Sequence, residues 1–464
     1  MKYHSTRGQA PHLGFDDALL TGLANDGGLY LPMEWPFVSE SSWLSMQGLS
    51  YSELASRVVN PFIKGSLVEN DLDQIIADTY NKFNHPDVAP MMNLQSNIWI
   101  MELYHGPTLA FKDFALQIIG NIFENILEKK GKKITIIGAT SGDTGSAAIS
   151  SCANRNGMNI FILHPKDRVS EVQRRQMTTV NAKNVFNIAV EGTFDDCQSL
   201  VKSMFKDNNF RDKLNLSAVN SINWARILFQ MVYYVFATLS LDSNNKGVSF
   251  AVPTGNFGNV FAGYCAKLIG LPINNFLIGS NNNDILTRFF TNGAMETKSV
   301  IPTISPAMDI QVSSNFERLL FESYQCDADR VQELMYLFAE KGVYKVEPNL
   351  FKKIESNFMA FKFNDDQTRS IMKNTFLESG YILDPHSAIG LGAAQSYRKD
   401  LSNPCVVLST AHPSKFPDAV EAAIGIKPSL PKHMEGLYNL NEEYSVIPNN
   451  LDLIKDYISS QTAV

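Results

Sequence analysis

Apolar runs that alternate with helical patterns constrain the fold of this chain most strongly. The runs are rich in β-branched residues, and several of them lead into a Gly-rich turn and then a helical pattern. Continuous runs of this kind are typical of parallel strands that are buried on both faces in βαβ units. We therefore predict an α/β fold. The predicted strands lie within 133–139, 158–165, 247–259, 274–281 and 403–416.

Three of the predicted strands end in polar or Gly-rich turns, at 138–145, 253–259 and 408–413. In parallel sheets, ligands bind beyond the carboxyl ends of the strands. We therefore expect the three turns to meet in one cleft.

The composition indicates a globular chain of more than one domain. Its 464 residues exceed what one compact core accommodates, and 44% of them are apolar. Charged residues make up 19%, and the net charge is −7. Because no run rich in Lys or Arg occurs, we do not expect a nucleic acid partner.

The helical and strand patterns divide the chain into a catalytic part and flanking parts. We predict an N-terminal cap over 1–90 and a helical insertion or third lobe over 282–379. The catalytic α/β domains are predicted to cover 91–281 and 380–430, and 431–464 forms a C-terminal extension.

Several features argue against a membrane, a secretory signal or a metal. The charge-free run 227–241 is shorter than the roughly 20 residues of a membrane span, so we predict a helix buried between other elements. The N-terminus has no apolar core, so we expect no secretory signal. No HExxH or other metal-ligand spacing occurs, so we expect no metal site.

The cysteines are odd in number and widely spaced, without any CxxC pair. We interpret them as free, mostly buried thiols of a protein in the reducing cytoplasm. They are Cys152, Cys197, Cys265, Cys326 and Cys405.

Lys112 lies in the unusually apolar stretch "HGPTLAFKDF" (105–114). A lysine held against apolar walls loses part of its preference for the charged form, and its amine becomes a usable nucleophile. Alternatively, the stem of Lys112 packs on Phe111 while its ammonium reaches water. The stretch alone leaves both interpretations open.

The turns "PTGNFGN" (253–259) and "ATSGDTGS" (139–146) have the composition of anion-binding loops. Glycines allow close backbone approach, and the start of a helix offers N–H groups to a negative charge. The first turn suits a phosphate that is held, and the second suits a carboxylate or phosphate of a substrate. Either one is also explained as a tight turn with a capped helix and no ligand.

Three further polar stretches lie near predicted helix starts. Arg226 follows Asn220 at the start of an apolar helix, where an arginine either reaches water or binds a phosphate. Thr410 either belongs to a turn or directs its hydroxyl into the cleft. We interpret Asp384 and His386 as structural residues at the start of a small-residue helix.

Seven stretches, in order along nearly the whole chain, resemble the threonine synthases in their longer form. They are "MKYHSTRG", "ANDGGLYLP", "HGPTLAFKD", "TSGDTG", "NSINWAR", "GNFGN" and "STAHPSKF". The resemblance implies a tryptophan synthase β-like fold, also called fold type II. In it, two αβα domains with parallel or mixed sheets hold pyridoxal 5'-phosphate in the cleft between them.

The resemblance also implies a role for each matching residue. Lys112 matches the lysine that forms the Schiff base, and Thr410 matches the hydroxyl residue beside the pyridine nitrogen. The residues that match the cofactor phosphate loop are Gly255, Asn256, Phe257, Gly258 and Asn259. The substrate is bound by residues that match Thr140, Ser141 and Thr144 in one loop and, for its phosphate, by Asn220 and Arg226.

One residue departs from many relatives of the fold. Asp143 stands where they carry Asn near the phenolic oxygen of the cofactor. A carboxylate there would repel a phenolate unless it is protonated or turned away.

The activity implied by the resemblance is the conversion of O-phospho-L-homoserine and water to L-threonine and phosphate. The reaction eliminates the γ-phosphate and then adds water at the β-carbon, and it is the last step of threonine biosynthesis. The alternatives are a related phospholyase or a serine or threonine dehydratase and, in a different class, a silent cofactor-binding module. We expect a cytoplasmic monomer or homodimer.

Overall fold

Two separate sheets organise the computed structural model, which describes residues 1–241, 246–397 and 403–462. Within these ranges the larger sheet has six strands, which are parallel except for one antiparallel edge strand. The smaller sheet has five strands, all parallel.

The order of the strands across each sheet differs from their order along the chain. The larger sheet runs β13 (Phe358–Lys362), β10 (Ile273–Ser280), β9 (Val248–Pro253), β14 (Cys405–Ser409), β4 (Ile98–Glu102) and β3 (Met91–Gln95). The smaller sheet runs β15 (Ser445–Pro448), β7 (Val185–Glu191), β6 (Met158–Pro165), β5 (Ile134–Ala139) and β8 (Leu216–Ser217). Two antiparallel pairs are separate: β1 (Tyr3–Ser5) with β2 (Tyr30–Pro32), and β11 (Ala294–Glu296) with β12 (Val343–Lys345).

Helices connect and flank these strands. In chain order they are α1 (Phe15–Thr21), α2 (Glu40–Leu44), α3 (Tyr51–Ile63), α4 (Leu72–Tyr80), α5 (Asp113–Lys130), α6 (Asp143–Cys152), α7 (Glu171–Thr178), α8 (Phe194–Lys206), α9 (Asn208–Leu214), α10 (Trp224–Leu241), α11 (Gly258–Leu268), α12 (Ile285–Asn292), α13 (Phe316–Ser323), α14 (Ala328–Lys341), α15 (Pro348–Glu355), α16 (Asp365–Ser379), α17 (Pro385–Ser396), α18 (Pro417–Ile424) and α19 (Leu451–Thr462).

The continuous apolar runs form buried parallel strands, as predicted. Every residue of β9 and of β14 is buried, because helices cover both faces of the larger sheet. Helix α17 packs across β9, β10 and β14 on one face, and its Gly390 comes so close to β9 that an added Cβ would lie 3.0 Å from Pro253. This close approach explains the small residues of α17.

Helix α10 is the apolar run that the sequence places between other elements. It has the length and hydropathy of a membrane span, but 78% of it is buried inside the protein. It packs against α3, α5 and α11. The prediction of a buried helix is confirmed.

The predicted helical insertion over 282–379 requires a correction at its end. Strand β13 lies in this range, yet it pairs in parallel with β10 and forms the edge of the larger sheet. Edge strands are covered less completely, and β13 has only one buried residue, although four consecutive apolar residues open its sequence FMAFK. We propose a division into two α/β halves, one built on the larger sheet and one on the smaller sheet. The N-terminal segment 1–90 forms a cap between these halves.

Candidate active site

The three polar turns that follow β5, β9 and β14 meet at one cavity of about 1470 Å³. This confirms the expectation of a single cleft at the carboxyl ends of the strands. All predicted site residues line it: Lys112, Thr140, Ser141, Thr144, Asn220, Arg226, Gly255, Asn256, Phe257, Gly258, Asn259 and Thr410. Part of the N-terminal cap, including Asn25 to Gly27, also lines the cavity, which sequence reasoning did not predict.

Lys112 is placed by a tight loop immediately before α5. Asp113 accepts hydrogen bonds from both the N–H and the hydroxyl of Thr108, each at 2.8 Å, which closes the loop. Leu109 within it has a positive φ of 63°, a strained conformation for leucine. The loop is also joined to the β14 turn, because the N–H of Phe111 donates to the carbonyl of Thr410 at 2.9 Å.

The side chain of Lys112 is buried rather than directed into water. The residue is 8% exposed, and its Nζ lies 4.9 Å from the ring centre of Phe111. The interpretation in which its ammonium reaches water is therefore wrong. Burial lowers the pKa of Lys112, and the nearby cations Lys415 and Arg226 lower it further, while Asp143 opposes them.

Asp143, the unusual residue of the second loop, lies between two lysines. Its Oδ2 accepts from Lys112 Nζ at 2.7 Å, and its Oδ1 lies 2.9 Å from Lys415 Nζ. Burial alone would raise the pKa of Asp143, but the charges of Lys112 and Lys415 outweigh it and hold that pKa far below the usual range. The carboxyl is therefore ionised. Lys415 was missed at the sequence level, although it lies in the stretch "STAHPSKF".

The loop between β9 and α11 presents its backbone to the cavity. Phe257 has a positive φ of 62°, and its ring packs in the core against Phe316 and Phe358. Helix α11 starts at Gly258 without a side-chain cap. The N–H groups of a first helical turn have no partner within the helix, so this end of α11 suits an anion.

Asn259 adds a polar side chain to the same loop. Its Oδ1 accepts hydrogen bonds from the hydroxyls of Tyr233 at 2.6 Å and Tyr234 at 2.9 Å. Its Nδ2 is buried and has no partner among the described residues. These tyrosines fix the amide so that its donor end is left for a ligand.

The loop between β5 and α6 is held by one of its own hydroxyls. The Oγ1 of Thr140 accepts from the N–H groups of Gly142 at 3.0 Å and Gly145 at 2.8 Å. This hydroxyl therefore shapes the loop. Ser141 and Thr144 are partly exposed to the cavity and remain available to a ligand.

Arg226 is buried in the first turn of α10, and no carboxylate among the described residues pairs with it. The residue is 3% exposed, and its Nε and Nη1 have no hydrogen-bond partner in the ranges that the structure describes. Burial lowers the pKa of Arg226 to about 10. The interpretation in which Arg226 reaches water is wrong, and a buried cation of this kind calls for an anion. Asn220 lies at the exposed rim of the same cavity.

Thr410 is positioned by the start of α17. Its N–H donates to the hydroxyl of Ser387 at 3.0 Å. Asp384 caps α17 by accepting from the N–H groups of His386 and Ser387, which confirms its structural interpretation. His386 accepts from the N–H of Ala307 at 3.2 Å through Nε2 and contacts Asp384 through Nδ1 at 2.9 Å, so it also holds the segment 306–312, which lines the cavity.

Comparison with known proteins agrees with this fold and site. Three family models match the chain: Threonine synthase N terminus over 2–80, Pyridoxal-phosphate dependent enzyme over 88–349, and Threonine synthase, C-terminal, over 387–458. The chain is 49% identical to threonine synthase of Pseudomonas aeruginosa over 99% of its own length and 98% of that protein's.

Two crystal structures are closely similar. Threonine synthase from Brucella melitensis, with bound PLP, has a TM-score of 0.96 and 48% identity, with 100% of both chains covered. Threonine synthase from yeast has a TM-score of 0.94 and 38% identity, with 100% of this chain and 99% of that chain covered. The fold and the site thus define a pyridoxal-phosphate-dependent enzyme of fold type II. The chain belongs to the threonine synthase family.

The cavity fits the cofactor of this family. Lys112 offers a buried amine, the uncapped start of α11 offers N–H groups for a phosphate, and Asn259 has an unused buried donor. In the part of the chain that the structure describes, no group of His, Cys, Asp and Glu side chains is arranged to hold a metal ion.

Proposed function

We propose that this protein converts O-phospho-L-homoserine and water to L-threonine and phosphate, the last step of threonine biosynthesis. Its membership of the threonine synthase family supports this activity. The observation that carries the proposal is Arg226, a buried and unpaired guanidinium in the cavity that also holds Lys112. A cofactor phosphate at the start of α11 leaves Arg226 for a second phosphate, that of the substrate.

We assign the proton transfers to Lys112. When bound, pyridoxal phosphate supplies an electron sink for the negative charge that develops at the substrate α-carbon. The Nζ of Lys112 removes the α-proton and then a proton from the β-carbon, as phosphate leaves from the γ-carbon with the electrons of the carbon–oxygen bond. A proton then returns to the γ-carbon, which becomes the methyl group, water adds its oxygen at the β-carbon, and the α-carbon regains its proton. Its lowered pKa supports this assignment, because a base must be able to lose its own proton.

We assign substrate binding to Arg226 and the loop before α6. Arg226, together with Asn220, binds the substrate phosphate, and its planar fork suits two parallel hydrogen bonds to phosphate oxygens. Ser141 and Thr144 add donors from the loop that Thr140 shapes. These charge-assisted bonds strengthen as negative charge builds on the leaving phosphate.

We assign cofactor binding to residues 255–259 and to Thr410. The backbone of Gly255 to Gly258 and the amide of Asn259 would hold the phosphate at the start of α11. The hydroxyl of Thr410 would lie beside the ring nitrogen. Because a neutral hydroxyl does not hold a proton there as a carboxylate would, Thr410 favours elimination and replacement over transamination.

The product formed by the purified protein tests the proposal. With O-phospho-L-homoserine we expect equal amounts of phosphate and threonine, and with serine or threonine we expect little keto acid or ammonia. The reverse pattern would identify a dehydratase. Phosphate release with a product other than threonine would identify a different phospholyase.

We further propose that the protein acts in the cytoplasm as a monomer or homodimer. The thiols support the location, because all five cysteines are free and four of them are buried, as expected in a reducing compartment.

A further inference from the structure

A second buried lysine lies beside the lysine that we assign to catalysis. Lys415 is 0% exposed, and its Nζ lies 2.9 Å from Oδ1 of Asp143, whose Oδ2 accepts from Lys112. One carboxylate is therefore shared by two ammonium groups, one on each oxygen. The roles assigned to the site residues above give Lys415 no part.

Three acceptor atoms surround the Lys415 ammonium. Nζ donates hydrogen bonds to the carbonyl of Thr108 at 2.6 Å and to Oε1 of Gln176 at 2.9 Å, and it forms the ion pair with Oδ1 of Asp143 at 2.9 Å. An ammonium has three donors and no acceptor, so this environment suits only the charged form. Lys415 is therefore a fixed positive charge and not a candidate base.

The charges that face Lys112 are unbalanced. Asp143 is its one carboxylate partner among the described residues, while Lys415 and Arg226 place two positive charges near it. Another buried carboxyl near Lys415 belongs to Asp113. Its oxygens accept hydrogen bonds from Thr108 and Gln117. A carboxylate paired with Lys112 alone would hold that amine in its protonated, unreactive form.

We propose that Lys415 is a positioning residue that shares the Asp143 carboxylate with Lys112 and thereby leaves the Lys112 amine free to react. The inference rests on the proposed role of Lys112 in the proposed function. When the amine of Lys112 is engaged by the cofactor, Lys415 remains as the counter-ion of Asp143. The same arrangement accounts for a carboxylate at position 143 near the phenolic oxygen of the cofactor. The carboxylate of Asp143 faces two lysines, so Lys415 balances its charge without Lys112.

The rate at which the full-length protein, freed of cofactor, captures added pyridoxal phosphate tests this role across a range of pH. Capture requires the neutral amine of Lys112, so its rate rises with pH and defines a midpoint. In Lys415→Gln, which keeps a donor for Thr108 but loses the charge, we expect the midpoint to rise by about one pH unit and capture at neutral pH to slow about tenfold. Lys415→Met should behave alike, and Lys415→Arg should keep the wild-type midpoint.

Gln176→Leu is the matched control, because Gln176 bonds to Lys415 and to the carbonyl of Thr108 but not to Asp143. We expect its midpoint to equal that of the wild type. An unchanged midpoint in Lys415→Gln, or an equal shift in Gln176→Leu, would overturn the proposal, since Lys415 would then only hold the loop. If circular dichroism shows that Lys415→Met does not fold, the midpoints of Lys415→Gln and Lys415→Arg decide whether the charge of Lys415 sets the midpoint of capture.

The capture experiment is independent of the substrate. A protein that captures pyridoxal phosphate with the expected dependence on Lys415 but forms no threonine would contradict the proposed function alone.

Discussion

Lys112→Ala is expected to abolish covalent attachment of the cofactor and to lower turnover by at least about a thousandfold. The variant loses both the amine that holds the cofactor and the base at the α-carbon. The fold should survive, because Asp143 keeps Lys415 as its partner. Borohydride reduction followed by mass spectrometry of the denatured protein measures the attachment, and phosphate release measures the turnover.

Lys298→Ala is a suitable control for the attachment. Lys298 also lines the cavity, but it is exposed at the surface. We expect it to retain the covalent cofactor. If Lys112→Ala retains the cofactor after reduction and Lys298→Ala or Lys415→Arg loses it, the assignment of Lys112 is wrong.

Arg226→Met is expected to change activity and stability in opposite directions. It removes a charge that binds the substrate phosphate, so kcat/KM for O-phospho-L-homoserine should fall by about a thousandfold, or about 4 kcal/mol. The same change removes a buried, unpaired guanidinium, so the free energy of unfolding in the absence of substrate should rise by about 1–3 kcal/mol. Steady-state kinetics and denaturant unfolding measure the two effects.

Arg318→Met is the matched control, because Arg318 is equally buried but fully paired. Arg318 donates to the carbonyls of Tyr30 at 3.1 Å and Ile222 at 2.7 Å, and to the side chain of Asn315. Its loss should lower the free energy of unfolding by about 3 kcal/mol, because these acceptors become unsatisfied in the core. If Arg226→Met destabilises the protein to a similar extent and kcat/KM is unchanged, Arg226 is structural and not a substrate-binding residue.

The five strands predicted from the sequence all lie in the interior of the sheets, although two other interior strands, β4 and β7, were not predicted. Strands β5, β9 and β14 are buried on both faces, and this requirement leaves a continuous apolar run that local reasoning detects. Strand β13 is partly exposed at an edge, and its short apolar run lies among helical patterns, so the segment that contains it is predicted as a mostly helical insertion with weak strand signals. The error arises because the position of a strand within a sheet is a long-range property.

The candidate site was predictable in its residue types but not in its burial. For Lys112 and Arg226 the local sequence is compatible with both a buried and an exposed side chain, and only the packing of distant segments decides between them. The place of Lys415 in the site depends on a hydrogen bond from its Nζ to the carbonyl of Thr108, which lies 307 positions earlier in the chain. Local sequence does not reveal such a contact. The hydroxyl of Thr140, in contrast, bonds to its own loop, a local interaction that competes with ligand binding.

The fate of the water oxygen tests the central claim most directly. The purified protein is supplied with unlabelled O-phospho-L-homoserine in water that carries a heavy oxygen isotope, and both products are analysed by mass spectrometry. Loss of phosphate from the γ-carbon followed by addition of water at the β-carbon predicts one labelled oxygen in threonine and none in phosphate. Labelled phosphate together with unlabelled homoserine would contradict the account, because the enzyme would then cleave the phosphorus–oxygen bond as a phosphatase does.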